Sequence, residues 1–182
     1  MNTVEAVKDK PTIDMVTRKL LIVHGKHYSQ IWELGLQLAL RISDLLSIKF
    51  SDIDNGRVRV KESKTGKTAN ILLNEKAVKI IEDIRNEYPD AVYLFQARAR
   101  NVKTIKPLSR VSVAKAFKSV GDDLGLALGT HSMRKTRGYI VYQATKDIAL
   151  VMKMLRHSSE AVTLRYIGIT QETMDDVSSM VI

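Results

Sequence analysis

Residues 131–166 read HSMRKTRGYIVYQATKDIALVMKMLRHSSEAVTLRY, and this stretch decides the fold. His131 and Arg134 stand one helical turn apart, so a helix over 131–145 places both side chains on one face. Further helices are predicted over 146–156 and 159–166, with a last one over 171–180. Upstream, Ser109 is a fitting N-cap for a helix over 110–124. Asn74 plays the same part for a helix running to about residue 88. Three more helices are expected before the sheet, over 13–23, 28–40 and 41–50, with Pro11 in the first turn of the earliest. Between them, 57–60 and 68–73 alternate polar and apolar residues, which reads as two strands joined through Gly66. The segment 52–56 is a turn by composition, and 92–95 a short extended piece. The expected fold is mainly α (α+β), with one small antiparallel sheet. Residues 1–10 are polar and expected to be loose, leaving 11–182 as one domain.

The chain has 182 residues, with 29 Lys+Arg against 20 Asp+Glu, a formal charge of +9. Such a balance favours polyanionic partners, nucleic acid first. There is no cysteine, which removes disulfide scaffolds, zinc–cysteine sites and thiol nucleophiles together. No apolar run approaches a membrane span, and the first residues hold no apolar secretion signal, so a cytoplasmic protein is expected.

Two nucleotide or metal readings fail. Gly66-Lys67-Thr68 ends like a phosphate-binding loop, but position 61 is Lys where that motif needs Gly, and a strand follows where a helix is required. His24 and His27 lack a carboxylate or cysteine to complete a ligand set, so they are read as solvated surface residues and no metal or cofactor is proposed. Tyr139 and Tyr142, among apolar helix residues, read as packing. His131, Arg134, His157 and Tyr166 would each be unremarkable alone. Together they supply what phosphodiester cleavage without metal requires. Arginine forks hold the non-bridging oxygens, a tyrosine oxygen attacks once neighbouring cations favour phenolate, and histidine moves a proton near neutral pH.

At this point a resemblance is plain. The stretch 39–49, ALRISDLLSIK, resembles the first arginine motif of the tyrosine recombinases, the phage-integrase family. His131-Ser132-Met133-Arg134 resembles their H-x-x-R motif, and 155–166 their closing histidine and tyrosine motif. Ser63-Lys64-Thr65-Gly66-Lys67, between two strands, is similar to the family's β-hairpin lysine. The resemblance implies that Arg41 and Arg134 clamp the scissile phosphate, that His131 assists proton transfer, and that His157 hydrogen-bonds a non-bridging oxygen. It implies Lys64 as the acid for the departing 5′ oxygen, with Lys67 as the alternative or a DNA-backbone contact. Asp44 would orient the cationic groups, and Tyr166 would form a 3′-phosphotyrosine bond. Arg156 departs from the family, which usually has glycine before the second histidine, and this puts the geometry of that turn in question. About 40 residues precede Arg41, too few for a separate core-binding domain, so the chain is expected to be a short member or a catalytic fragment.

Arg98, Arg100, Lys103, Lys106, Arg110, Lys115 and Lys118 are candidates for phosphate contacts or, equally, a solvated basic face. The resemblance implies double-stranded DNA sites as partners and four protomers on paired sites, from a monomer in free solution, with accessory DNA-bending proteins as further partners. The tail 171–182 is the candidate link between protomers: Thr170 would cap a helix carrying a Met174, Val177 and Val181 stripe, with Asp175 and Asp176 off it. Packing of that stripe in cis or in trans stays open. The competing functions are type IB topoisomerase-like relaxation and an inactive DNA-binding accessory protein.

Overall fold

The computed structural model describes residues 4–98, 103–169 and 179. The chain folds as a mainly α domain with one three-stranded antiparallel sheet. Helix α1 (Lys10–His24) begins where Asp9 accepts a hydrogen bond from the Thr12 amide at 2.8 Å, with Pro11 in its first turn. Helix α2 (Lys26–Leu38) runs through the core, where Ile31, Trp32 and Leu34 are fully buried and Trp32 meets Phe117 edge-on at 5.7 Å.

Helix α3 (Ile42–Leu46) is shorter than the 41–50 expectation. Its continuation is diverted because the Ile48 carbonyl accepts from Leu94 N and Phe50 N donates to the Val92 carbonyl, so this backbone pairs with residues 92–94 before a single 3-10 turn over Phe50–Asp52. Residues 92–95 accordingly form isolated bridge contacts, Lys49 opposite Tyr93, and no continuous strand.

The sheet orders β1 (Ile53–Asp54), β2 (Arg57–Lys61) and β3 (Thr68–Leu72) side by side. Asn55 and Gly56, at φ 49° and 69°, make the tight turn from β1 to β2. Val58, Val60 and Ala69 fill the inner face. Gly66, at φ 68°, lies in the loop that returns the chain to β3, as a hairpin and not a nucleotide loop demands.

Helix α4 (Glu75–Glu87) is capped by Asn74, and α5 (Arg110–Leu124) by Ser109. Helices α6 (Ser132–Thr145), α7 (Ile148–Leu155) and α8 (Glu160–Ile167) follow, packed on a smaller apolar cluster of Ala39, Val151, Leu155 and Ile167. Tyr139 and Tyr142 pack there, as read from the sequence. Lys146 ends α6 in the left-handed region, and Asp147 caps α7. The tail prediction (171–182) lies outside the described residues except for Ser179.

Residues 4–9, expected to be loose, are tied down. Val7 is buried and its N–H donates to Thr136 Oγ1 at 2.8 Å, Glu5 N donates to the Ala127 carbonyl, and Lys135 Nζ reaches the Val4 carbonyl. The two histidines read as solvated are half-buried among aromatic rings. His27 stands edge-on to Tyr88 and Phe95, and His24 is tilted against Tyr28.

Candidate active site

Arg134 is the anchor of the site and is 1 % exposed. A guanidinium so deep needs acceptors, and two helix C-termini supply them. Its Nη1 donates to the carbonyl of Ala39, the left-handed residue ending α2, at 2.6 Å, and its Nη2 donates to the carbonyl of Leu155 at the end of α7. Gly35 allows α6 to approach α2 this closely, since a Cβ there would lie 2.2 Å from Met133 Sδ. Arg41, two residues after Ala39, is the extended N-cap of α3 and so lies just before the helix instead of within it as expected.

His131 stands at the start of α6 and makes no side-chain cap bond, which leaves its ring for Tyr166. The Tyr166 hydroxyl lies 3.1 Å from His131 Nδ1. Desolvation of its ring, and then the charges of Arg134, Lys135, Arg41 and Lys64, hold His131 below the usual histidine range, so it is neutral at pH 7 and able to accept the phenolic proton. The expectation that cations favour phenolate does not hold in the free protein. Burial pushes the Tyr166 pKa up, and this outweighs the charges of Arg134 and Arg41. The tyrosine is therefore a neutral phenol beside a neutral imidazole.

His157 meets Tyr166 edge-on at 4.9 Å, and its Nδ1 lies 3.2 Å from Thr163 Oγ1. Because that hydroxyl donates to the Ser159 carbonyl at 2.7 Å, it accepts from His157, which assigns the proton of the neutral ring to Nδ1. Burial, followed by the charges of Arg134 and Arg41, lowers His157 to about 4. An unfolded chain takes up this proton near the ordinary 6.5, so acid favours the unfolded state as pH falls from 6.5 towards 4. Melting temperature is expected to fall over that window, and to fall less in His157→Gln; equal slopes in both proteins would contradict the assignment.

Asp44 binds no cationic side chain directly among the described residues. Its Oδ1 accepts from both the N–H and the hydroxyl of Ser63 at 2.8 Å, so it holds the loop that carries Lys64. Lys64 is exposed and lines a cleft of about 720 Å³ with Arg41, Ser43, His131, Arg110, Lys115 and Lys118. Of the basic candidates, the last three are therefore gathered at this cleft, where Lys118 also pairs with Asp122. Arg98 instead stacks on Tyr88, 3.7 Å from the ring centroid. Lys67, Lys103 and Lys106 are exposed outside the cleft lining, and Arg100 lies outside the described residues.

Glu62 was not singled out from the sequence. It is fully buried, with Oε1 accepting from Arg156 Nε at 2.7 Å and Oε2 lying 3.1 Å from Arg41 Nη1. Burial would raise its pKa, but hydrogen bonds from Arg156 and Thr65, with the charges of Arg156 and Arg41, hold it below the usual carboxylate range. Its position just after β2, beyond the alternating segment, gave no sign of burial. The only signal was the neighbouring Lys64.

The chain matches the Phage integrase family over residues 15–173. A probable integrase/recombinase of Bacillus subtilis (strain 168), YoeC, is 36 % identical over 175 residues, covering 95 % of this chain and 94 % of that protein. A probable integrase/recombinase of Acholeplasma phage L2 is 29 % identical over 143 residues, covering 77 % of this chain and 48 % of its own. Among solved structures, XerA recombinase superposes with TM-score 0.73 at 16 % identity, over 97 % of this chain and 63 % of that one. A lambda integrase dimer bound to a COC′ core site gives 0.73 at 18 %, over 92 % and 49 %. The chain thus spans nearly all of the Bacillus relative but about half of the phage protein and of the lambda integrase chain. No helix among the described residues is long and apolar enough to cross a membrane. A match over most of its length, the Bacillus relative and the shared fold together establish that the chain belongs to the phage integrase family of tyrosine recombinases.

Proposed function

We propose that the chain recombines duplex DNA at specific sites by cutting and rejoining one strand at a time through a covalent 3′-phosphotyrosine, with neither metal nor ATP. The observation that carries this reading is the Tyr166 hydroxyl, near Arg134 and 3.1 Å from Nδ1 of His131, which lines the cleft with Arg41 and Lys64. His131 takes the phenolic proton as the oxygen attacks phosphorus. Arg41 and Arg134 neutralise the non-bridging oxygens, a fixed electrostatic arrangement of the kind that dominates such reactions. The P–O5′ bond breaks, and Lys64 gives a proton to the departing oxygen. The new phosphotyrosine ester keeps the energy of the old bond, so a 5′ hydroxyl from a second duplex reverses the steps and restores the tyrosine. His157 can donate to a phosphate oxygen through Nε2 once the bound anion raises its proton affinity.

The test is incubation with nicked duplexes followed by a denaturing gel, and then with paired sites. A covalent adduct carrying the 3′ end of the cut strand, and exchanged products from paired sites, are expected. Relaxation of supercoiled DNA without exchanged products would favour topoisomerase-like activity, and binding without any adduct an accessory role. Exchange between two duplexes further requires several protomers on the DNA. Deleting 171–182 is expected to leave single-site binding nearly intact while abolishing cooperative assembly, as read by gel shift.

Arg110 and Lys115 are expected to contact backbone phosphates. Replacing Lys115 by Ala should weaken binding alike across sequences and lower the log–log salt slope by about 0.9. An unchanged slope removes Lys115 from the interface.

A further inference from the structure

Lys64 sits on a loop and is exposed, and no ion pair fixes its amine among the described residues. Its placement therefore depends on the loop backbone, which Asp44 holds before Lys64, through Ser63, and Glu62 holds beyond it. The Glu62 N–H donates to the Lys67 carbonyl at 2.9 Å, its carbonyl accepts from Gly66 N at 2.9 Å, and its Oε2 accepts from Thr65 Oγ1 at 2.8 Å. Bonds thus run from one residue to three positions beyond Lys64. The same buried carboxylate binds Arg156 Nε, 94 residues away, and lies beside Arg41. Arg156 lies between Leu155, whose carbonyl holds Arg134, and His157. One ion pair therefore joins the Lys64 loop to both phosphate-holding arginines and to the second histidine.

Stability alone is a weak reason for such a pair. A buried ion pair gains little over apolar residues of the same volume, and β2 already turns Val58 and Val60 into the core. Arg156 also adopts the left-handed conformation, φ 53°, that glycine takes most readily. An arginine thus stands where backbone preference argues against it. We propose that the Glu62–Arg156 ion pair sets the register of the Lys64 loop against the two arginines, making Glu62 and Arg156 positioning residues for protonation of the departing 5′ oxygen. The inference rests on the reading of Lys64 as that acid.

The test uses the leaving group. Duplexes cut by the wild-type chain are first captured covalently from a randomised nicked library. The captured sequence is then made with either oxygen or sulfur at the 5′ bridging position. A thiolate, whose conjugate acid has a pKa of about 8.5, departs without a proton from the enzyme. Glu62→Gln and Arg156→Gly are expected to bind DNA as the wild type does and to cleave the oxygen duplex about 10- to 100-fold more slowly. Both should regain most of the rate on the sulfur duplex, as Lys64→Ala does, whereas Arg41→Ala stays slow on both. Variants slow on both duplexes would show that the pair serves the arginines or the fold, and variants as fast as wild type on oxygen would show that it positions nothing. Either result overturns the inference. If Glu62→Gln does not fold, Arg156→Gly decides, since glycine suits that backbone. Capture of no duplex by the wild-type chain defeats the reading of function itself, and the inference with it.

Discussion

Tyr166→Phe is expected to bind duplex DNA with near wild-type affinity and to form no covalent adduct at all. The substitution removes one oxygen and leaves the ring, which packs on the smaller apolar cluster and edge-on to His157 at 4.9 Å. The lost hydrogen bond to His131 is partly exposed to solvent, so its cost in stability is on the order of 1 kcal/mol or less. Among the described residues no other tyrosine stands beside His131. Tyr139 and Tyr142 are occupied in packing along α6, and the chain has no cysteine. Because the tyrosine is a neutral phenol in the free protein, attack also needs His131 in its neutral form. His131→Ala should therefore slow adduct formation while Tyr166 remains in place. A Tyr166→Phe protein that still forms adduct on a denaturing gel would move the nucleophile to another tyrosine.

What was legible in the sequence was local, because helical spacing and turn chemistry fix near neighbours. His131 and Arg134 one turn apart, the Ser109 and Asn74 caps, and the Gly66 hairpin all follow from such local rules. What could not be read was set by distant partners. Glu62 looked like one more polar residue beside a strand, and its burial depends on Arg156, 94 positions later. Helix α3 stops at Leu46 because residues 92–94 claim the backbone of Ile48 and Phe50. Asp44 was expected to orient the cationic groups, and the fold brings Ser63 of the Lys64 loop to it. The tyrosine's ionisation failed for a related reason: the sequence shows which cations are near but not how much water burial removes.

Arg134→Ala is expected to fail in two ways that can be measured apart. On the proposal that it is one of two arginines on the phosphate, its loss should slow cleavage about 10²–10³-fold or more. Its guanidinium also closes the fold, since two of its five N–H donors bind the carbonyls that end α2 and α7. Truncation leaves those carbonyls unsatisfied, and it opens a cavity at one of the largest fully buried side chains. Together these should cost about 2–5 kcal/mol, or roughly 5–15 °C in melting temperature for a domain of this size. Arg41→Ala provides the contrast. Its side chain is 19 % exposed, and Glu62 keeps Arg156 and Thr65 as partners when it is removed. It should cleave as poorly as Arg134→Ala while melting within a few degrees of wild type. Arg134→Lys separates charge from geometry: an ammonium retains the positive charge but lacks the planar fork that spans both carbonyls. It should melt between the alanine variant and the wild type while remaining slow in single-turnover cleavage. If Arg134→Ala instead melts like the wild type, the two helix ends hold together without it, and the arginine serves the phosphate alone.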